Sequence, residues 1–248
     1  MHPIIFKWHG FAIYSYGFFV ALSVLIVWSL ASAREKKFHE EPGAASDLLF
    51  MMFVFGVIGA RAFFVLQHLE DYRGHAWRAL SIQEGGLVWY GGFMTAAGAG
   101  IFYARLRRWP LLFWCDFFAP ILPLAHAIGR IGCFFNGCCF GRVTDFGGVY
   151  FPDDLEPRFP VQLYESALLF AMSGLLFYCL SKRPKEGEVF MGYLVGYSLI
   201  RFFLEFLRGD QMRVHFLTLP QWVSLFLFAG GIFLFLVVKK KGQSHGKF

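Results

Sequence analysis

Charged side chains are scarce in this chain. Asp, Glu, Lys and Arg make up 16% of its 248 residues, whereas hydrophobic residues make up 57% and aromatic residues 20%. Soluble domains carry about 25% charged residues, and a mean hydropathy of +0.51 points the same way. The composition excludes a soluble globular protein and leaves hardly any sequence for a separate soluble domain. It predicts an integral membrane protein with several spans.

Seven segments are long and apolar enough to cross a bilayer, which takes about 20 mostly apolar residues in a helix. They lie approximately at residues 11–31, 47–67, 87–104, 111–128, 161–180, 189–207 and 219–238. This pattern predicts an all-α integral membrane protein. We expect a bundle of seven transmembrane helices that forms a single domain over residues 1–248.

Basic residues alternate from one connection to the next. Lysine and arginine cluster at residues 34–37, 105–108, 182–185 and 239–241, whereas the connections 68–86, 129–160 and 208–218 lack lysine. Short basic connections stay in the cytoplasm by the positive-inside rule. We therefore expect the N-terminus and the long loops outside and the C-terminus inside. The net charge of +6 reflects this topology and does not indicate binding of nucleic acid.

Lysine is almost missing outside the predicted cytoplasmic connections. Apart from Lys7, the basic residues there are arginines. Those arginines, outside or deep in a span, are Arg61, Arg73, Arg78, Arg130, Arg142, Arg158, Arg201, Arg208 and Arg213. The planar guanidinium matches phosphate in two contacts, which an ammonium does not. Arg73, Arg78 and Arg213 fit solvated loop positions equally well. For Arg61, Arg130 and Arg201, inside or bordering spans, a functional role is favoured.

Arg130 stands in the most informative run of the chain, residues 126–141. That run also holds four glycines, three cysteines and Asn136. A charge at membrane depth costs several kcal/mol unless another group pairs with it, and glycine lets a backbone approach a ligand closely. The run predicts a site that holds an anion at a membrane surface.

A second charged pattern lies in the sixth predicted span. Arg201, Glu205 and Arg208 are spaced by four and three residues, which predicts one shared helical face. A structural ion pair between Arg201 and Glu205 is one interpretation. A carboxylate that holds an arginine in position for an anionic substrate is the other, and both can hold together.

Two weaker patterns flank the spans. Gln162 and Glu165 lie three residues apart after Pro160, as in any capped interfacial helix. Tyr90 follows the paired glycines of the run from Glu84, where tyrosine also serves as an interface anchor.

Cysteine usage leaves three interpretations open. Cys115 and Cys179 are lone residues in spans and fit inert packing. Cys133, Cys138 and Cys139 are clustered downstream of His126, and three thiols with an imidazole suit zinc. The paired C-x-x-C repeat that marks zinc sites is missing, and a disulfide is also compatible with an outer location. We expect no metal.

Together these motifs resemble the bacterial prolipoprotein diacylglyceryl transferase family. The run Gly129–Gly137, closed by Gly141, is similar to the signature of the family, and the other blocks follow in the same order and spacing. They are Tyr16–Gly17, Gly59–Arg61, Gly85–Gly92, Arg158–Glu165 and Gly196–Arg208. The resemblance covers essentially the whole chain.

The resemblance implies seven helices and transfer of diacylglyceryl from phosphatidylglycerol to the lipobox cysteine of exported prolipoproteins. The products are a thioether-linked lipid and glycerol phosphate. It implies a multi-pass protein of the bacterial inner membrane, among membrane lipids, whose partners are phosphatidylglycerol and prolipoprotein signal peptides. We expect a monomer. No cofactor is implied. By position, Arg130 resembles the phosphatidylglycerol-binding arginine and Arg201 a second essential arginine. Tyr16, Arg61, Asn136, Gly141, Glu205 and Arg208 are expected to contribute to substrate binding.

Three positions depart from the family pattern. Tyr90 stands where studied members have a histidine, Cys133 replaces an asparagine and Cys138 a glutamate. Tyrosine is a poor base at neutral pH. Tyr90 can instead orient substrate by a hydrogen bond, and His126, four residues before Arg130, can supply an imidazole if the helix continues. Both are expected among the catalytic residues, with Arg130 and Arg201.

Other functions fit parts of the pattern. The substituted positions permit a paralogous transferase with another acceptor, and buried arginines also line the pathways of lipid or anion transporters. Transporters often contain internal repeats, and this chain shows none that is convincing. A thiol-redox or metal-binding membrane protein that uses the three clustered cysteines is the remaining alternative.

Overall fold

The computed structural model is helical over 73% of the residues that it describes. It describes residues 2–8, 11–38, 42–74, 76–81, 85–152, 154–182, 184–209, 213–214 and 216–244. Glu84 and Arg183 lie outside the described residues, as do the side chains of Arg213 and of residues 239–241. The helices are α1 (Ser15–Phe38), α2 (Ala44–Gln67), α3 (Trp89–Leu106), α4 (Leu111–Phe118), α5 (Ile121–Asn136), α6 (Val161–Ser181), α7 (Glu188–Leu204) and α8 (Leu219–Ser244).

Short non-α elements occupy the connections. Two antiparallel hairpins pair β1 (Ile4–Trp8) with β2 (Phe11–Tyr14), and β3 (Arg213–Val214) with β4 (Leu217–Thr218). 3-10 turns cover Leu69–Tyr72, Ala76–Leu80 and Glu205–Leu207. The expected start of the first span at residue 11 is wrong, because residues 11–14 pair as a strand and α1 begins at Ser15.

Six helices of the described chain are long and apolar enough to cross a membrane. They cover Ser15–Lys36, Ala44–Gln67, Leu111–Asn136, Val161–Ser181, Glu188–Leu207 and Leu219–Val237. The third predicted span is also a helix, α3, but it is not among these six. The chain is thus a multi-pass membrane protein, while the seventh crossing and the orientation of the termini stay predictions.

The passage from α4 to α5 corrects the boundary of the fourth predicted span. α4 ends before Pro120, and α5 then runs through the glycine-rich motif to Asn136, whereas we expected a loop from residue 129. Gly132 explains part of this continuation, since a Cβ there would overlap the side chain of Phe19 in α1. Close packing of α1 on this small residue offsets the low helix propensity of glycine. The helix ends at Gly137, whose φ is +75°.

The chain forms two compact units, and the expectation of a single domain stays a prediction. Unit 1 contains residues 1–29 and 112–248. Its core lies where α5, α6 and α7 pack, around Leu169, Met172 and Val189. Two buried hydroxyls join α6 to the helix before it, since Ser166 donates to the Ala127 carbonyl (2.9 Å) and Ser173 to that of Pro120 (2.7 Å).

Unit 2 contains residues 30–111 and is built on the pair α2 and α3. Small residues line the crossing, where a Cβ on Gly59 would overlap Thr95 and a Cβ on Gly92 would press on Ala60. The Thr95 hydroxyl donates to the Phe55 carbonyl across the crossing (2.9 Å). Small residues and hydroxyls that bring two backbones together are typical of helix packing in membranes.

Candidate active site

Arg130 and Glu165 form a buried ion pair between α5 and α6. The Arg130 Nε atom lies 3.0 Å from the Glu165 Oε2 atom, with 15% of the arginine side chain and 1% of the glutamate side chain exposed. Glu165 is in the second turn of α6, which begins after Pro160. A buried charge is tolerated when a partner of opposite sign is at hand. The Arg130 Nε atom makes no hydrogen bond to the described residues, so its contact with Glu165 is an ion pair without hydrogen-bond geometry.

His126 shares this carboxylate. Its Nε2 atom lies 3.6 Å from the Glu165 Oε1 atom, and its ring centroid is 5.6 Å from that of Tyr197 on α7. Because α5 is continuous, residues 126 and 130 lie one turn apart on one face. The conditional expectation that His126 shares a face with Arg130 is therefore confirmed.

A second ion pair lies at the end of α7. The Arg201 Nη2 atom is 2.8 Å from the Glu205 Oε2 atom, as the spacing of four residues predicts. The Thr218 hydroxyl donates to the Glu205 Oε1 atom (2.8 Å) and so fixes the carboxylate from the start of α8. The Arg201 Nη1 atom is buried and makes no hydrogen bond to the described residues. The Arg201 charge also acts on His126, which connects the two pairs electrostatically.

Arg208 does not lie on the helical face of Arg201 and Glu205, so that part of the prediction is wrong. The helix tightens into a 3-10 turn at Glu205–Leu207, and Arg208 has an extended backbone with ψ of 141°. Its backbone pairs instead with Gly141 of the loop after α5.

Gly141 lies at a crowded crossing of three segments. A Cβ there would overlap the Leu207 and Phe159 carbonyls and the Val161 side chain, and the Gly141 amide donates to the Phe159 carbonyl (2.8 Å). These contacts give Gly141 a packing role that brings the loop beside Arg208.

Tyr16 and Asn136 lie in unit 1 near the same helix end. Tyr16 is in the first turn of α1, and Arg130 and Cys133 act on its phenol electrostatically. Asn136 is the last residue of α5, two residues before Cys138.

Arg61 and Tyr90, also predicted from the sequence, lie in unit 2. Arg61 is buried and donates four hydrogen bonds to backbone carbonyls, those of Arg78 (2.8 Å), Ala79 (2.8 Å), Gly85 (2.6 Å) and Gly86 (3.2 Å). These bonds fasten the connection between α2 and α3 to α2. The Tyr90 ring is 52% exposed and meets Trp89 edge to face at 5.2 Å.

Three cysteines are the only group of side chains in the described chain that is arranged to hold a metal ion. The Sγ atoms of Cys133, Cys138 and Cys139 all lie within 4.8 Å of one another. Hydrogen bonds with the other two thiols lower the pKa of Cys139, and the charges of Arg130 and Arg208 lower it further. His126, considered as a fourth ligand, does not belong to this group.

Glu165 and Thr218 are the site residues that sequence reasoning missed. Glu165 belonged to a pattern that any capped helix would give, and only the packing of α6 on α5 identifies its partners. The sequence did carry a signal for Glu165, because this glutamate stands in an apolar segment and a carboxylate within a span needs a cation nearby. For Thr218 the sequence offers no signal beyond its place before the last helix.

Known proteins resemble this chain over nearly its whole length. The family model described as prolipoprotein diacylglyceryl transferase matches residues 3–237. The phosphatidylglycerol–prolipoprotein diacylglyceryl transferase of Clostridium tetani is 32% identical over 255 residues, covering 98% of this chain and all of the relative. The enzyme of the same name from Nostoc sp. is 34% identical over 256 residues, covering 96% of this chain and 88% of the relative. Phosphatidylglycerol–prolipoprotein diacylglyceryl transferase 1 of Clostridium perfringens is 32% identical over 259 residues, covering all of this chain and 98% of the relative.

Proposed function

Because this chain belongs to the prolipoprotein diacylglyceryl transferase family, we propose that its reaction takes place at the two ion pairs of α5, α6 and α7. The chain is a transferase: it moves the diacylglyceryl group of phosphatidylglycerol to a prolipoprotein. A transporter or a transferase with another acceptor is not favoured by this membership.

The reaction concentrates negative charge on one phosphate. The acceptor sulfur forms a bond to the glyceryl carbon, the bond from that carbon to the phosphate oxygen breaks, and the electron pair stays on the oxygen. A phosphodiester with one charge thus becomes a phosphomonoester with a second. Donors fixed in advance in a dry site stabilise such a transition state most effectively.

Arg130 is placed to supply those donors, and this is the observation that carries the proposal. Its Nε atom lies 3.0 Å from the buried Glu165 carboxylate, which balances the guanidinium charge, and the planar fork of that guanidinium matches phosphate oxygens. Arg201 pairs with Glu205, whose carboxylate accepts a hydrogen bond from Thr218, and it provides a second cation whose buried Nη1 atom makes no hydrogen bond to the described residues.

His126 is the group we assign to the thiol proton. The acceptor must react as a thiolate, and the imidazole lies beside Glu165, which can balance its charge. Proton uptake would turn the neutral set of Arg130, Glu165 and His126 into one with a net positive charge. That change matches the negative charge that the leaving phosphate gains.

The remaining assignments follow from family position. Tyr90 orients substrate by a hydrogen bond, Tyr16, Asn136, Arg208 and Gly141 border the phosphate, and Arg61 contributes to substrate binding. The acceptor is the lipobox cysteine of an exported prolipoprotein. The enzyme works as a monomer in the bacterial inner membrane, and both substrates reach it laterally from the bilayer.

Arg130→Lys tests the role of the guanidinium. Lysine keeps the charge and loses the fork, so we expect turnover to fall by about 100-fold or more. The purified protein would be mixed with phosphatidylglycerol and a lipobox peptide, and mass spectrometry would follow the diacylglyceryl mass on the peptide cysteine.

The matched control is Arg73→Lys, since the Arg73 side chain is 75% exposed and pairs with the equally exposed Glu70. We expect this variant to keep wild-type turnover. Equal turnover of Arg130→Lys and the wild-type protein would refute the assignment of the phosphate to Arg130.

A further inference from the structure

Three thiols converge at the end of α5. Cys133 lies within the helix and is nearly buried, and Cys138 and Cys139 follow in the turn after it. The Sγ atoms of Cys138 and Cys139 are 3.7 Å apart, and all three sulfurs fall within 4.8 Å. The sulfur of a helical residue, Cys133, thus lies beside the sulfurs of two residues that follow the helix.

The backbone conformation of the turn after α5 brings the three sulfurs together. Gly137 and Cys139 both have positive φ, +75° and +64°. The Cys138 amide donates to the Cys133 carbonyl (3.1 Å), and Gln162 of α6 donates to the Cys138 carbonyl (2.6 Å). A left-handed conformation costs a residue other than glycine about 1–2 kcal/mol. Such strain persists where the surrounding structure holds it, as at ligand sites.

We propose that Cys133, Cys138 and Cys139 bind one thiophilic divalent cation, with Zn²⁺ the best fit. Zinc–sulfur bonds of about 2.3 Å in a tetrahedron set neighbouring sulfurs roughly 3.8 Å apart. The separation of 3.7 Å between Cys138 and Cys139 already meets this value, and the limit of 4.8 Å for the whole group requires shifts of only about 1 Å.

The surrounding charges suit a metal–thiolate complex. Three thiolates around a divalent cation carry one net negative charge, and Arg130 and Arg208 both act electrostatically on Cys139. No histidine or carboxylate joins the three thiols among the described residues. The fourth position is thus left to water or to an added ligand, as in zinc sites with three protein ligands.

A cobalt titration tests the site directly. Reduced, chelator-stripped protein in detergent would be titrated with Co²⁺, which reports thiolate ligands by charge-transfer absorption and tetrahedral geometry by visible bands. We expect one Co²⁺ per chain, displacement by Zn²⁺, and proton release on binding. Each of Cys133→Ser, Cys138→Ser and Cys139→Ser should weaken cobalt binding by more than about 100-fold. This is a larger effect than the loss of a residue that only hydrogen-bonds a metal ligand.

Cys115→Ser and Cys179→Ser are the matched controls, because these cysteines lie outside the cluster. Both should keep the full cobalt spectrum. Titration and proton release of the wild-type protein need no variant to fold. The proposal is overturned if reduced wild-type protein gives no thiolate–cobalt absorption, if the spectrum survives in the triple serine variant, or if two of the three cysteines are isolated from membranes joined as a disulfide.

The cobalt measurement does not depend on diacylglyceryl transfer. Arg130→Lys should keep the metal spectrum even where it loses turnover, so failure of the metal site and failure of the assigned transfer site are distinguishable.

Discussion

A single carboxylate, Glu165, lies between a guanidinium and an imidazole at the interface of α5 and α6. In a medium of low dielectric constant this arrangement stabilises Arg130 and at the same time fixes its orientation. The same residue therefore determines the stability of the helix pair and the geometry of the anion site. Separating these two contributions requires measurements of both.

Glu165→Gln removes the charge and keeps the shape. We expect the free energy of unfolding to drop by about 3–5 kcal/mol, because the variant leaves Arg130 buried without a counter-charge. We also expect turnover to fall, since nothing then orients the guanidinium. Thermal unfolding in detergent and the peptide assay would measure the two effects. Glu156→Gln, at an exposed glutamate of the loop, should change neither, and a Glu165→Gln enzyme with unchanged stability would contradict the ion pair.

At the scale of elements, the sequence predicts contacts within a helix far better than contacts between helices. Arg201 and Glu205 lie four residues apart, so their pairing follows from helical geometry alone. Arg130 and Glu165 lie on two helices joined by a long loop, and sequence spacing does not tell which helices pack together. Hydropathy likewise locates the apolar helices, but it does not show that α5 continues past residue 129. At Gly132 this continuation depends on the packing of α1.

The loop after α5 depends on one glycine where it crosses between α6 and the end of α7. In Gly141→Ala the added methyl group would overlap two carbonyl oxygens and the Val161 side chain. We expect a loss of about 1–3 kcal/mol in the free energy of unfolding, with a parallel loss of turnover as Arg208 shifts. Tryptophan fluorescence during thermal unfolding would measure stability.

Gly174→Ala is the matched control for that change. Gly174 is a helical glycine of α6 whose added methyl group meets nothing within 4 Å. Alanine there should be neutral or stabilise the protein by up to about 1 kcal/mol. Equal destabilisation by both substitutions would show that the crossing at Gly141 is not tightly packed.

At the scale of the whole molecule, the helices present large apolar side chains at their surface. Phe226 and Phe233 of α8 are 77% and 65% exposed, as expected where lipid covers the helix. Within the described residues, six helices qualify as membrane spans on length and composition, and α3 does not. Whether α3 crosses decides on which side Arg105, Arg107 and Arg108 lie.

We predict that α3 crosses the membrane. If it did not, the three arginines after it would lie on the same side as the connection between α2 and α3, and the separation of basic connections from the others would break. Short epitope tags inserted after residues 38, 74 and 108 of the full chain would be probed in intact and permeabilised cells. The tags at 38 and 74 flank α2, an apolar helix long enough to span, and serve as the control pair on opposite sides. A tag at 108 that shares the side of the tag at 38 shows a seventh crossing, whereas a tag at 108 that shares the side of the tag at 74 would leave six spans and reverse the expected orientation of every later loop.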